Sequence, residues 1–459
     1  MIPHRRRGVC PSLAVPMPTG DGLLARLNLG GQTVSLDAAA ALCEAAHRHG
    51  SGIIEVTSRG SVQVRGLKHE TAPAFVDAIG KIDIDVPDGV PVAVSPLAGL
   101  AADEAIDAEA LAAALRVAIG TAGLSRRIAP KVSVAIDSGS TLHLDALSAD
   151  IRLHAAACSG DACLHLAMGG TAERAVPIGV VSLNRAADAT VRLLNELAKY
   201  GEDARARNVV RLVGAAPFRA AIADLLTDGA RAPDIAGPFP LPPRRPRSEP
   251  IGAQALRGGM LALGMGLPFG KVDVESLMRL IKVAQRVQAA GLRVAPDRAL
   301  LIIGIRRDDA GALAADAAAL GFITEADDRR RSIAACPGAP FCACTDVPTR
   351  TLAPEIASAA AALLDGSLVM HLSGCAKGCA HPGPAALTVV GDDGRCAVIV
   401  NGTPQYRPVV TLAPDALRAS LARLSQTCAS ERLPGEGAAA VLSRLGARRI
   451  AAILSGASA

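Results

Sequence analysis

The stretch "TVSLDAAAALCEAAHRHGSGIIEVTSRGSVQVRGL", residues 33–67, lies without gaps over "KVDVESLMRLIKVAQRVQAAGLRVAPDRALLIIGI", residues 271–305. Val34 meets Val272, Leu42 meets Leu280, Ala46 meets Ala284, Val56 meets Val294 and Gly66 meets Gly304. Asp37 with Glu275 and Ile54 with Leu292 are conservative pairs. A repeat held over this length makes the chain a tandem duplication of one supersecondary unit.

Each copy reads as a helix opened by an acidic residue, which suits the positive end of the helix dipole. Leu277, Leu280, Ile281, Ala284 and Val287 form the apolar stripe of the second copy. A glycine closes the helix, and a strand, a tight turn and a second strand follow. The alternation of Val62, Gln63, Val64 and Arg65 marks that second strand, with Arg65 on a solvated face. Each copy is therefore a helix on a small antiparallel sheet.

Working outward, residues 228–250, "DGARAPDIAGPFPLPPRRPRSEP", are rich in Pro and Arg and read as a linker. The implied organisation is a repeat unit at 1–90 and again at 251–319. Larger α+β domains follow at 91–227 and 320–425, and a helical tail at 426–459 packs through Leu442, Leu445 and Ile450. Half of the 459 residues are hydrophobic and 20% are charged, a core-forming composition. With no Trp, two Tyr and six Phe, that core is built from Ala, Val, Leu and Ile.

The net charge of +5 is dispersed and gives no footprint for nucleic acid. The basic opening "MIPHRRRG" lacks the apolar region of a signal peptide and reads as a solvated arm. No run of about 18 apolar residues marks a membrane span. The chain reads as cytoplasmic, and its eleven cysteines as something other than a disulfide framework. Cys10, Cys43, Cys158, Cys163, Cys396 and Cys428 are scattered and read as buried or incidental.

The remaining cysteines cluster. "ACPGAPFCAC" places five residues between Cys336 and Cys342, and "LSGCAKGCAHPG" places three between Cys375 and Cys379. Structural zinc favours closer pairs. A 4Fe–4S cluster takes four thiolates splayed around a larger body, and Gly338, Gly374 and Gly378 let backbone approach its sulfides. Iron–sulfur, zinc and plain buried thiols all remain open on spacing alone. Cys344, two residues past Cys342, is a competing thiol.

These two motifs resemble the cluster signatures of the sulfite and nitrite reductase family, which shares the internal duplication. The resemblance spans about residues 10–425 and implies an α+β fold. Two fused pseudo-repeats are expected, each a ferredoxin-like half domain followed by a larger α+β domain of the reductase type. It implies a 4Fe–4S cluster on Cys336, Cys342, Cys375 and Cys379. "IIEVTSRGSVQVRGL" is similar to the segment whose arginine, here Arg59, meets a tetrapyrrole carboxylate, and "PKVSVAID" to the one supplying lysines, here Lys131.

The departures point to a branch. Ser133 stands where the reductases carry a second lysine, Gly60 where a glutamine usually follows the arginine, and "VAVSPLAGL" lacks a further arginine. Sirohaem is therefore not expected. "RRRGVCPSLAVPMPTGDGLLARL" and "LRVAPDR", ending in Arg298, resemble the precorrin-3B synthase branch of aerobic cobalamin biosynthesis. There the tetrapyrrole, precorrin-3A, is the substrate. The resemblance implies hydroxylation by O2 with lactone formation, a cluster that delivers electrons from an NAD(P)H-linked donor, and a separate mononuclear non-haem iron. Arg59, Lys131, Arg298 and Lys377 are the expected substrate contacts, since arginine and lysine suit a ring fringed with carboxylates. Catalytic residues are not identifiable. His154 and His165 are candidates for the iron, and His381 for substrate contact. A sirohaem-dependent reductase and a non-catalytic iron–sulfur or zinc protein are the alternatives.

Overall fold

The computed structural model describes residues 11–87, 89–157, 162–227 and 245–456. The basic arm therefore lies outside the described residues, as do Cys10, Cys158 and residues 228–244 of the expected linker.

The first repeat unit comprises β1 (Met17–Thr19), β2 (Gly22–Leu27), α1 (Leu36–His49), β3 (Ile53–Val56), β4 (Val62–Leu67) and α2 (Ala72–Ile79). Ser35 caps α1 by accepting from the Ala38 N–H, and Asp37 sits in its first turn. Next come β5 (Val92–Val94), α3 (Ala108–Thr121), β6 (Val134–Asp137), β7 (Ala149–Ala157), β8 (Ala162–Gly170), β9 (Val176–Ser182), α4 (Ala186–Ala198), α5 (Ala206–Val213) and α6 (Ala216–Ala221).

The second repeat unit comprises β10 (Gly252–Ala255), β11 (Leu261–Gly266), β12 (Lys271–Asp273), α7 (Val274–Arg286), β13 (Gly291–Ala295), β14 (Ala299–Ile305) and α8 (Ala310–Ala319). It leads into β15 (Ile333–Ala335), α9 (Thr349–Ala359), β16 (Met370–Ser373), β17 (Ala385–Asp392), β18 (Arg395–Gly402), β19 (Val410–Leu412), α10 (Pro414–Glu431) and α11 (Ala438–Ser455). The expected boundary at 425/426 falls inside α10. Leu442, Leu445 and Ile450 of α11 are buried in the core of the last domain.

The repeat is structural as well as textual. The β3–β4 and β13–β14 hairpins correspond, and α1 and α7 share one core with both sheets. Gly66 and Gly304 both take a left-handed φ, 70° and 77°. A Cβ at Gly66 would lie 2.6 Å from the Ser51 Cβ, and one at Gly304 2.9 Å from the Ala290 Cβ. The repeats also exchange strands. Val272 on β12 pairs with Ile54 on β3, and Val34 bridges Leu292 on β13. The two α+β domains share one topology. Sheets β5-β6-β7-β8-β9 and β15-β16-β17-β18-β19 each begin with two parallel pairings and end with two antiparallel ones.

The domains pack crosswise. The first repeat's sheet lays its second face on the cysteine-bearing domain through Glu55, Gln63 and Arg65, all buried. Arg65 is 2.8 Å from Asp21 and 3.6 Å from Glu55, and donates to the Phe341 carbonyl at 2.5 Å. Arg350 of α9 binds Glu55 in turn. This corrects the reading of Arg65 as a solvated residue: an antiparallel sheet often faces water on one side, but here a neighbouring domain covers that side. The second repeat's sheet packs instead on the first α+β domain. Arg293 donates to the Ala98 carbonyl at 2.7 Å and lies 3.0 Å from Glu109, beside an apolar seam that includes Leu97, Leu142 and Leu301.

Two further expectations change. Residues 245–250 are fixed against the fold rather than a free linker. Arg245 pairs with Asp137 and Asp145, and Glu249 with Arg331. Cys43, Cys396 and Cys428 are buried thiols, and Cys163 is buried as well but disulfide-bonded rather than a free thiol. Among the described residues no helix is long and apolar enough to cross a membrane.

Candidate functional site

The four motif cysteines stand at the ends of two adjacent parallel strands. Cys336 directly follows β15, and Cys375 lies just past β16, so the parallel pairing brings the two loops together. The Gly374 N–H donates to the Cys336 Sγ at 3.1 Å, and Thr349 Oγ1 lies 3.4 Å from the same sulfur. Cys342 and Cys375 have thiol pKa values pushed up, by burial first and then by the charge of neighbouring thiols. Without a cation these groups stay protonated. A metal that takes thiolates would relieve that cost.

A tetrahedral zinc at about 2.3 Å from each sulfur draws them to within about 4 Å of one another. Among the described residues, no three of these cysteines bring their sulfurs within 4.8 Å of one another. The Gly374 N–H directed at the Cys336 sulfur is a contact that a metal–sulfur cluster also accepts.

The first repeat shapes this loop from outside. The Gly20 N–H donates to the Phe341 carbonyl at 3.2 Å, and a Cβ at Gly20 would stand 2.7 Å from Ala343 N and Pro340 O. Gly20→Val is expected to push the Cys342 segment away and lower bound iron and sulfide, with far-UV circular dichroism retained. Unchanged metal content would show that the loop adjusts freely.

Arg298 does not point into open space. Its Nη2 donates to the Ala380 carbonyl of the second cysteine loop at 3.0 Å. Lys377 lies within that loop and donates to the Cys344 Sγ at 3.1 Å. Cys344 is exposed, unlike Cys336. Gln405 binds the Ala376 carbonyl from the β18–β19 connection.

Arg59 caps the β3–β4 turn and reaches the first α+β domain, donating to Ser148 O at 2.9 Å and Ser133 Oγ at 3.1 Å. Ser133 thus has a physical role: a lysine there would place a second cation against Arg59. Gly60, with φ 78°, lets the two hairpins meet, since a Cβ would stand 3.1 Å from Ala295 C. Lys131 lies two residues before Ser133 in the chain, and Arg298 and Lys377 both make hydrogen bonds within the cysteine loops.

His154 and His165 face each other across β7 and β8. Asp137, Asp145 and His154 bring one ligand atom each within 4.8 Å of the others. These donors are of a kind that iron takes. Arg245, however, sits among them, 2.6 Å from Asp137 and 2.5 Å from Asp145. Burial alone would raise the Asp137 pKa, but the Arg245 guanidinium outweighs it and holds the carboxyl below its usual range. Asp137 also accepts from the Gly139 and Leu144 N–H groups. With its oxygens saturated, this group does not fit a mononuclear iron. Sequence reasoning missed Asp137, Asp145 and Arg245, because nothing in their spacing marks a strand end and two loop segments that meet only in space.

The fold and the cysteine loops define a class. The nitrite/sulfite reductase ferredoxin-like half domain matches residues 15–82. The solved structure of Mycobacterium tuberculosis NirA protein superposes with a TM-score of 0.73 at 21% identity, covering 93% of this chain and 84% of that one. Sulfite reductase [ferredoxin] 2 of Mycolicibacterium paratuberculosis is 27% identical over 74% of this chain and 65% of its own length. Within that class, precorrin-3B synthase of Sinorhizobium sp is 37% identical over 98% of this chain and 95% of its own length. The chain belongs to the precorrin-3B synthase family of sulfite and nitrite reductase-like oxidoreductases.

Proposed function

We propose that the chain oxidises precorrin-3A to precorrin-3B with O2, hydroxylating the ring and closing a lactone in aerobic cobalamin biosynthesis. The observation that carries this reading is the 37% identity to a precorrin-3B synthase along nearly the whole chain. Entry of one oxygen atom into the ring, with the other leaving as water, takes two electrons and two protons. Cys336, Cys342, Cys375 and Cys379 would hold a 4Fe–4S cluster, which would supply electrons drawn from an NAD(P)H-linked donor. Sirohaem is not part of this reading, given Ser133 in place of a second lysine.

The chain's own residues hold the substrate. Arg59 and Lys131 bind peripheral carboxylates from the first half, since a carboxylate takes a stronger, charge-assisted hydrogen bond from a guanidinium than a neutral oxygen does. Lys377 and His381 contact the ring from the cysteine loop, and Arg298 keeps that loop in register with the second hairpin.

The test is anaerobic purification with an optical spectrum and iron and sulfide counts, followed by single turnover with precorrin-3A and O2. Product heavier by one oxygen atom is the expected result. Acid–acetone release of one sirohaem per chain would move the protein to the reductase reading, and a colourless, zinc-loaded protein to the non-catalytic one. Arg59→Ala is expected to weaken precorrin-3A binding by roughly ten- to a hundred-fold, the loss of about 1.5–3 kcal/mol for a charge-assisted hydrogen bond. The cluster spectrum should not change. Equal affinities in a substrate titration would remove Arg59 from the clamp.

A further inference from the structure

His371 is fully buried, yet neither of its ring nitrogens has a hydrogen-bond partner among the described residues. Buried polar groups are nearly always paired, so such an orphan calls for a physical reason. Its position on β16 supplies one. Met370 and Leu372 point into the apolar core, so strand alternation turns His371 and Ser373 to the opposite face. The register neighbour Thr388 offers nothing, because its hydroxyl is committed to the Gly402 carbonyl at 2.8 Å.

The ring's polar edge faces the second cysteine loop. Its Cε1, the carbon between the two nitrogens, lies 3.6 Å from where a Cβ on Gly378 would stand, and Gly378 directly precedes Cys379. The His381 ring closes the other side edge-on, with centroids 5.7 Å apart. Burial first, then the charges of His381 and Arg298, lowers the His371 pKa to about 4. The imidazole is therefore neutral near pH 7 and carries one N–H without an acceptor.

We propose that His371 donates a hydrogen bond to a sulfur of the metal–sulfur group held by the Cys375–Cys379 loop. This rests on the cluster reading given above. An N–H directed at sulfur stabilises the more negative, reduced state and raises the midpoint potential. His371 is thus a tuning residue, buried beside the second cysteine loop.

The test uses the full-length chain purified anaerobically with its cluster. His371→Leu is expected to keep iron and sulfide content but shift the midpoint potential to more negative values. His371→Gln, which retains an N–H, is expected to recover part of the shift. Pulsed electron paramagnetic resonance on reduced protein with isotopically labelled histidine should show a ring-nitrogen coupling that His371→Leu removes. If His371→Leu does not fold, labelled His381→Gln decides, because a coupling that remains there belongs to His371. A loaded cluster with the same midpoint in both His371 variants, or no coupling in labelled His381→Gln, overturns the proposal. A wild-type chain that carries no cluster at all overturns the cluster reading itself, and the two failures are distinguishable.

Discussion

Glu55→Gln is expected to destabilise the protein by about 3–5 kcal/mol, the range for removing one partner of a buried ion pair. Glu55 is 4% exposed and stands between two buried guanidiniums, Arg65 and Arg350, which are 4% and 8% exposed. Its carboxylate binds Arg350 and lies 3.6 Å from Arg65. A neutral amide keeps the volume but leaves two cations facing each other where water does not reach. Asp21 compensates only Arg65. Urea unfolding should show a lower midpoint with little change in slope. The double replacement Glu55→Leu with Arg350→Met should recover much of the loss, since it removes the charges together. A cost below about 1 kcal/mol for Glu55→Gln would place the network among solvent-screened surface pairs. The consequence reaches the cysteine loop, because Arg65 also holds the Phe341 carbonyl.

Replacement of Cys336, Cys342, Cys375 or Cys379 by Ser is expected to abolish the broad visible absorption of the anaerobic protein, each change alone sufficing. A cubane needs all four thiolates, and a hydroxyl at one corner leaves it labile. Cys336→Ser should also cost stability, since this sulfur is buried and accepts the Gly374 N–H. Cys344→Ser should spare the colour. Its exposed thiol is already engaged by Lys377 Nζ at 3.1 Å. Iron and sulfide analysis beside the spectrum checks the whole set. Bleaching by Cys344→Ser, with Cys342→Ser still coloured, would exchange those two ligands.

The duplication, the helix stripes and the paired cysteine motifs were legible because each is written in local spacing. Leu277, Leu280, Ile281 and Ala284 repeat at the helical period, and all four are buried. Arg65 was not legible. Alternation tells which face of a strand it occupies, but only the crossed packing of the domains tells that a protein surface covers that face. The same holds for Arg245, whose partners Asp137 and Asp145 lie about a hundred residues upstream. His371 resembles any strand residue until the absence of a partner for its ring becomes visible in three dimensions. Sequence patterns report periodicity, whereas polar burial is set by what arrives from elsewhere in the chain.

The strand exchange between the repeats has the form of an isologous interface. Val34 meets Leu292 and Val272 meets Ile54, and each member of one pair is the repeat equivalent of a member of the other. In a homodimer this contact would be made by two identical subunits, and any feature of one would appear twice. Fusion into one polypeptide lifts that constraint. The strand end at Ser373 leads into the cysteine loop, while its counterpart at Asp137 leads into a loop without cysteines, sealed by Arg245. Two equivalent positions within one chain can therefore specialise separately, and among the described residues only the second-half position carries the paired cysteines.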